Sequence, residues 1–87
     1  MAKRSHELKT HPTPFLAVCR NEKKAEFRLN DRDFQKGDYL NLREWIPDGG
    51  TEGGGYYTGD SRVRVITHIQ TGYGIPDGYA MLSLGQT

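Results

Sequence analysis

The chain has 87 residues, a formal net charge of +1, 34% hydrophobic residues and 26% charged residues. This length suits one small domain with one modest core, spanning residues 1–87, and is too short for two. The near-balanced charge argues against a protein that coats duplex nucleic acid, because such proteins need a strong basic excess to neutralise phosphates.

The expected compartment is the cytoplasm. Cys19 is the only cysteine in the sequence, which excludes an internal disulfide. The N-terminal cations precede no apolar stretch, so no signal peptide is predicted, and no apolar run is long enough to span a membrane. The three histidines show no metal-ligand spacing and one cysteine cannot build a structural zinc site, so we expect no metal and no cofactor.

The first elements of the chain are a strand over residues 5–11, with weak alternation, and a short helix within residues 13–21. Thr13 can cap this helix, and Pro14 suits the first helical position. Asn21 tolerates the left-handed conformation at a helix end. The apolar positions of the helix, spaced i, i+3 and i+4, are Phe15, Val18 and Cys19. We expect these three side chains to be buried.

The next element is a strand at "KKAEFRLND", residues 23–31. Its apolar residues are Ala25, Phe27 and Leu29, and its polar residues are Lys24, Glu26 and Arg28. This period of two is typical of a half-buried strand. We therefore expect the apolar set to face the core and the polar set to face away from it.

Residues 31–38 form a predicted turn, which Asp31 can cap and in which Phe34 fills the core from the loop. Residues 39–46 form the clearest strand, with two leucines on one face. The alternation breaks at Trp45 and Ile46, which predicts a bulge or a two-sided burial there, and we expect Trp45 to be part of the core.

The C-terminal half reads as short strands separated by turns. The predicted strands cover residues 56–59, 61–70 and 79–84. Residues 47–55 hold five glycines and no apolar residue, so they predict a flexible hairpin tip. A turn is expected at Gly59 and Asp60, and a loop at residues 71–78.

The elements together predict a mainly β fold with one short helix. Five or six short strands bury little apolar surface as a flat sheet. A sheet curled into a small barrel removes its exposed edges, and the helix can close one side.

The stretch "NEKKAEFRLND" resembles the signature of the ASCH superfamily, which is Gly-x-Lys-x-x-Glu-x-Arg. Asn21 stands at the glycine position, and Lys23, Glu26 and Arg28 occupy the other three. The extension "RLNDRDFQKGDYLNLREW" and the ending "GYAMLSL" are similar to a family of short bacterial and phage domains of unknown function, classed with ASCH and PUA-like proteins. The resemblance extends from about Glu7 to Leu84.

This resemblance implies a PUA-like β-barrel of five or six strands with a cleft beside the signature. Relatives with that fold often bind RNA, and some ASCH proteins hydrolyse acylated nucleosides. The expected function is therefore binding of RNA or a nucleotide-like ligand. Hydrolysis of a modified nucleoside and a protein-interaction module of a phage or mobile element are the alternatives.

Lys23, Glu26 and Arg28 have two interpretations. Spacing alone favours an ion network on a solvated strand face, which contributes little stability. The resemblance favours a cleft, in which Arg28 offers a planar fork to a phosphate or base edge and Lys23 a point charge. Glu26 can then accept a hydrogen bond from a base amino group. Catalysis is the less favoured interpretation, because no second acid can be placed beside these residues from the sequence; Glu44 and Asp77 are candidates that no pattern supports.

Three further residues complete the predicted ligand site. Asn30 and Arg32 follow the signature and can face the cleft, whereas the neighbouring aspartates are more simply explained as turn formers. The aromatic residues that could stack on bases are Trp45, Tyr56, Tyr57, Tyr73 and Tyr79. Because aromatics at strand ends are usually part of the core, Tyr73, in its loop, is the expected stacking residue. We expect the domain to act as a monomer.

Overall fold

The computed structural model describes residues 4–48 and 53–87 of the chain. Its elements in chain order are β1 (Ser5–Thr10), α1 (Pro12–Cys19), β2 (Ala25–Leu29), β3 (Tyr39–Pro47), β4 (Gly55–Gln70) and β5 (Tyr79–Gln86). The five strands form one curled sheet, a half-barrel, and the predicted fold class is confirmed. No helix in the described part of the chain is long and apolar enough to cross a membrane.

The strand order places the first two strands of the chain at opposite edges of the sheet. The order is β1-β3-β4-β5-β2, with β1 parallel to β3 and every other pair antiparallel. The curl nevertheless brings the two edges together, since Nη2 of Arg28 in β2 donates to the carbonyl oxygen of Lys9 in β1 at 2.8 Å. We call this junction between β1 and β2 the seam.

The core fills the concave side of the half-barrel. Its buried residues are Leu8, Val18, Phe34, Leu40, Leu42, Ile66, Ala80 and Leu82. Val18 and the buried Phe15 come from α1, which closes one side of the core. Phe34 enters from the loop between β2 and β3, as predicted.

The helix begins one residue earlier than its predicted cap. His11 is the N-cap, without a side-chain hydrogen bond, and Pro12 opens the helix, so the prediction of a Thr13 cap is wrong. Proline is tolerated in the first turn because its missing N–H would have no partner there. Asn21 adopts a φ of 63°, which confirms the predicted left-handed end. Cys19 is only partly buried, contrary to the prediction.

The predicted turn at Gly59 is wrong, because β4 runs without interruption through this position. Arg43 pairs with Ser61 and Trp45 with Tyr57, so Glu44 alone stands opposite three residues of β4. Gly59 takes a φ of 98° within this bulge. Glycine accepts that conformation at little cost, so it can bulge a strand as readily as it turns one.

The predicted bulge near Trp45 is therefore confirmed, but Trp45 is half-buried rather than in the core. Its ring lies over the backbone of Gly55, where a side chain would have no room. The predicted flexible tip at 47–55 includes residues 49–52, which lie outside the described residues, so its flexibility stays a prediction. Pro47 and Gly55, at its ends, are paired strand residues.

The two faces of β2 are the reverse of the prediction. Glu26 is only 5% exposed, whereas Phe27 is 45% and Leu29 is 48% exposed. Strict alternation gives the period of a strand but does not say which face is covered. On this edge strand the covered side is the one that closes the seam, and charged groups occupy it.

Candidate functional site

Glu26 is the centre of the candidate site. Its Oε1 accepts from Lys23 Nζ at 2.6 Å, and its Oε2 accepts from Arg28 Nε at 2.6 Å. Lys23 lies in the turn before β2, and its ammonium also donates to the carbonyl oxygen of Ala25. The carboxylate therefore holds two cations of the predicted signature in fixed positions, and the three residues come together as expected.

These three residues line one wall of a cleft of about 390 Å³. The lining residues are Lys9, Thr10, His11, Pro14, Lys23, Glu26, Phe27 and Arg28. The cleft lies at one end of the seam, between the start of α1 and the open edge of β2. Its volume is in the range of small-ligand sites, which begin at about 300 Å³.

The cleft keeps hydrogen-bonding capacity after its internal bonds are made. Arg28 uses Nε for Glu26 and Nη2 for the Lys9 carbonyl, and no described residue accepts from its Nη1. A lysine ammonium has three donors, and Lys23 uses two of them. Lys9 adds a third cation, which lies 4.7 Å from the centre of the Trp45 ring. The site can therefore receive an anion without breaking its own contacts.

Asn30 lies at a second pocket rather than in the cleft. This pocket has a volume of about 330 Å³, and we call it the loop pocket because residues 71–78 supply most of its wall. Asn30 Oδ1 accepts from the backbone N–H of Phe34 at 2.9 Å. Asn30 thus caps the following turn, in place of the predicted Asp31.

Arg32 is exposed and lies outside the cleft lining. Its Nη1 donates to the carbonyl oxygen of Glu7 in β1, farther along the seam from the Arg28 contact. Its visible role is therefore to join the edges of the sheet.

Tyr73 is 95% exposed at the tip of the loop formed by residues 71–78, and it does not line either pocket. It has a φ of 53°, between two glycines that also have positive φ. Its predicted stacking role stays a prediction.

Sequence analysis did not identify the cleft wall that faces the signature. Lys9, Thr10 and His11 precede the signature by many residues; the Lys9 carbonyl and Arg28 are 19 positions apart. No local pattern marks these residues, because they reach the signature only when the sheet curls. His11 stacks on Trp45, with ring centres 5.9 Å apart, which holds this wall in place.

A second charged cluster lies around Asp38. Its Oδ2 accepts from His6 Nε2 at 2.9 Å, from Arg4 Nη2 at 3.2 Å and from the backbone N–H of Gln35 at 3.0 Å. Burial raises the pKa of Asp38, but the His6 and Gln35 hydrogen bonds and the Arg4 charge together lower that pKa below its ordinary value. The described residues contain no group of three side chains that could hold a metal ion.

The known proteins similar to this chain include a phage protein. The uncharacterized 12.9 kDa protein in the GpA 3′ region of Escherichia phage P2 is 35% identical over 72 aligned residues, and the alignment covers 79% of this chain. The alignment covers 60% of the phage protein, so the chain spans less than two thirds of that relative. The family model described as "Domain of unknown function (DUF3850)" matches residues 5–84. The chain belongs to this family.

Proposed function

We propose that the chain is a small cytoplasmic module of the ASCH and PUA-like class that binds RNA or a nucleotide-like ligand in the cleft. The observation that carries the proposal is the buried Glu26, which fixes Lys23 and Arg28 at the cleft wall while leaving donors on both. A half-barrel of five strands with one helix is also the architecture that the resemblance to PUA-like proteins implies.

The charges of the cleft favour an anionic ligand. Three cations, Lys9, Lys23 and Arg28, line the cleft together with one carboxylate, that of Glu26. A phosphate group fits the free donors of Lys23 and Arg28, because charge-assisted hydrogen bonds are the strong ones. Phe27 adds an apolar surface on which a base or sugar can rest.

The ion pair between Lys23 and Glu26 favours binding of a ligand over its hydrolysis. Its ammonium is ion-paired to Glu26, and an ion-paired ammonium has no free electron pair for nucleophilic attack. Neither Glu44 nor Asp77, the candidates for a second acid, lines the cleft. The similarity to a phage protein fits any role in a phage or mobile element and does not choose among them.

The proposal is tested with a pair of lysine variants. NMR titrations of the parent with nucleoside monophosphates and short RNAs are expected to shift the amides of Lys23, Glu26 and Arg28. Lys23→Gln keeps donors but removes the charge, so it should weaken binding by about tenfold. For a single-stranded ligand, the slope of the logarithm of the binding constant against the logarithm of the salt concentration should also become shallower by about 0.7.

Lys24→Gln is the matched control, since Lys24 is the next residue, is exposed and does not line the cleft. It should leave affinity close to that of the parent. Equal weakening by both variants would mean that the ligand responds only to net charge. Shifts confined to residues outside the cleft, or turnover of an acylated nucleoside, would refute the proposal.

A further inference from the structure

The cleft and the loop pocket are joined by an aromatic pair. Phe27 lines the cleft and Tyr79 lines the loop pocket. Their rings are stacked, with centres 5.2 Å apart and planes 19° apart. The two cavities therefore lie on one continuous surface at the β2 side of the sheet, with aromatic rings between them.

Both rings are accessible in the part of the chain that the structure describes. Phe27 is 45% and Tyr79 is 38% exposed. Edge strands are usually protected by charged side chains, and here the outer face of β2 and β5 carries aromatic groups instead. Nucleic-acid bases stack on such groups whatever their sequence, because every base has a π face.

The polar groups of the loop pocket suit a base edge. Asn30 lines the loop pocket, and the hydrogen bond from Phe34 N to Asn30 Oδ1 leaves the Asn30 amide nitrogen available as a donor. Asp77 adds a carboxylate acceptor on the same pocket, and no described residue donates to it. A donor and an acceptor that line the same pocket suit a base that shows both an amino group and a carbonyl, as cytosine and guanine do.

We propose that the ligand is single-stranded RNA or DNA of at least two nucleotides, with a phosphate in the cleft and a base in the loop pocket. The bases or sugar between them lie along Phe27 and Tyr79. This inference rests on the proposed function and adds to it the length and strandedness of the ligand. The near-balanced charge of +1 agrees with it, because a short single strand presents fewer phosphates than a duplex.

The test compares ligand lengths on the unaltered protein. A mononucleotide is expected to shift amides of the cleft alone. A mixed-sequence tetranucleotide should shift the cleft and also Asn30, Asp77 and Tyr79, and should bind about five- to hundredfold tighter, since each stacked base adds to affinity. The matching duplex should bind more weakly than the single strand.

A variant pair tests the aromatic bridge. Tyr79→Leu keeps an apolar side chain and should remove most of the gain in affinity from the mononucleotide to the tetranucleotide. Tyr56→Leu is the matched control, because Tyr56 is an exposed tyrosine on β4 that lines neither cavity. The Tyr56→Leu variant should keep the full gain in affinity with ligand length.

The outcomes separate the two proposals. Mononucleotide binding in the cleft with no gain from length overturns this inference and leaves the proposed function standing. The absence of cleft shifts with every nucleotide and oligonucleotide overturns both. This inference is also overturned if the duplex binds more tightly than the single strand. It is overturned as well if a folded Tyr79→Leu variant keeps the gain in affinity with ligand length. The length comparison needs no variant, so it holds even if Tyr79→Leu fails to fold.

Discussion

At the residue scale, the buried carboxylate of Glu26 shows that this chain places charge on the covered face of β2, where the apolar residues of that strand were expected. Removing a carboxylate from water is costly unless its lone pairs are satisfied. Two charge-assisted hydrogen bonds of 2.6 Å, from Lys23 and Arg28, offset that cost. The signature residues are thus tied to each other before any ligand arrives, which makes their geometry preorganised.

Asp38 gives a prediction for acid stability. Its folded-state pKa lies below the unfolded value of 3.8, so its contribution to stability is complete well above pH 3.8 and is lost as the pH falls through the folded pKa. Asp38→Asn should therefore lower the free energy of unfolding by about 1–3 kcal/mol at neutral pH. The difference from the parent should shrink in strong acid, as measured by urea unfolding at pH 7 and pH 2.5.

Asp31→Asn serves as the control for this measurement, because Asp31 is an exposed acid with no hydrogen bond to a described residue. Its unfolding curve should follow that of the parent at both pH values. A difference between Asp38→Asn and the parent that stays constant down to pH 2.5 would contradict the assigned role of Asp38.

At the element scale, the β3–β4 hairpin depends on a close approach between a ring and a glycine. A Cβ atom at Gly55 would lie 2.6 Å from the carbonyl oxygen of Ile46 and closer still to the Trp45 ring. The backbone contact cannot be relieved by a change of rotamer. Gly55→Ala should therefore destabilise the protein by about 1–3 kcal/mol. Trp45 is the only tryptophan, so its fluorescence reports the change directly.

Ser61→Ala is a suitable comparison, since Ser61 is an exposed residue on the same strand. Its midpoint of unfolding and its tryptophan emission should match those of the parent. A Gly55→Ala protein with parental stability and unchanged emission would show that the hairpin can accommodate a Cβ atom at this position.

The sequence predicted elements better than their junctions. Alternation located the strands, and Asn21 and Phe34 have the predicted conformation and burial. Gly59 was misread because a positive φ serves a turn and a bulge equally well, and only the pairing of β3 with β4 distinguishes them. The faces of β2 were reversed because the covering partner of an edge strand is set by the curl of the sheet.

At the scale of the whole molecule, the candidate site exists because the sheet does not close into a complete barrel, so its edge strands β1 and β2 are not paired with each other. The Arg4 carbonyl accepts from Tyr39 N, so the alternating carbonyls of Glu7 and Lys9 point away from β3 toward the free edge. Arg28 and Arg32 donate to these two carbonyls in place of a neighbouring strand. The signature could be found from the sequence, whereas the opposite cleft wall could not, because it depends on this long-range junction.

The seam leads to a final prediction, for Arg32→Gln. Arg32 lies outside both cavities, so its loss should leave the ligand sites intact while removing one of the two arginine bonds across the seam, the other being that of Arg28. A net hydrogen-bond contribution of about 0.5–1.5 kcal/mol corresponds to amide hydrogen exchange in β1 that is about two- to tenfold faster. Exchange in β4 and β5 should change less, because the edge strand opens locally. The control is Lys36→Gln, because Lys36 is an exposed cation with no hydrogen bond or ion pair to a described residue; amide exchange in this variant should match that of the parent. Parental exchange of β1 in Arg32→Gln would mean that the pairing with β3 holds this edge without the seam.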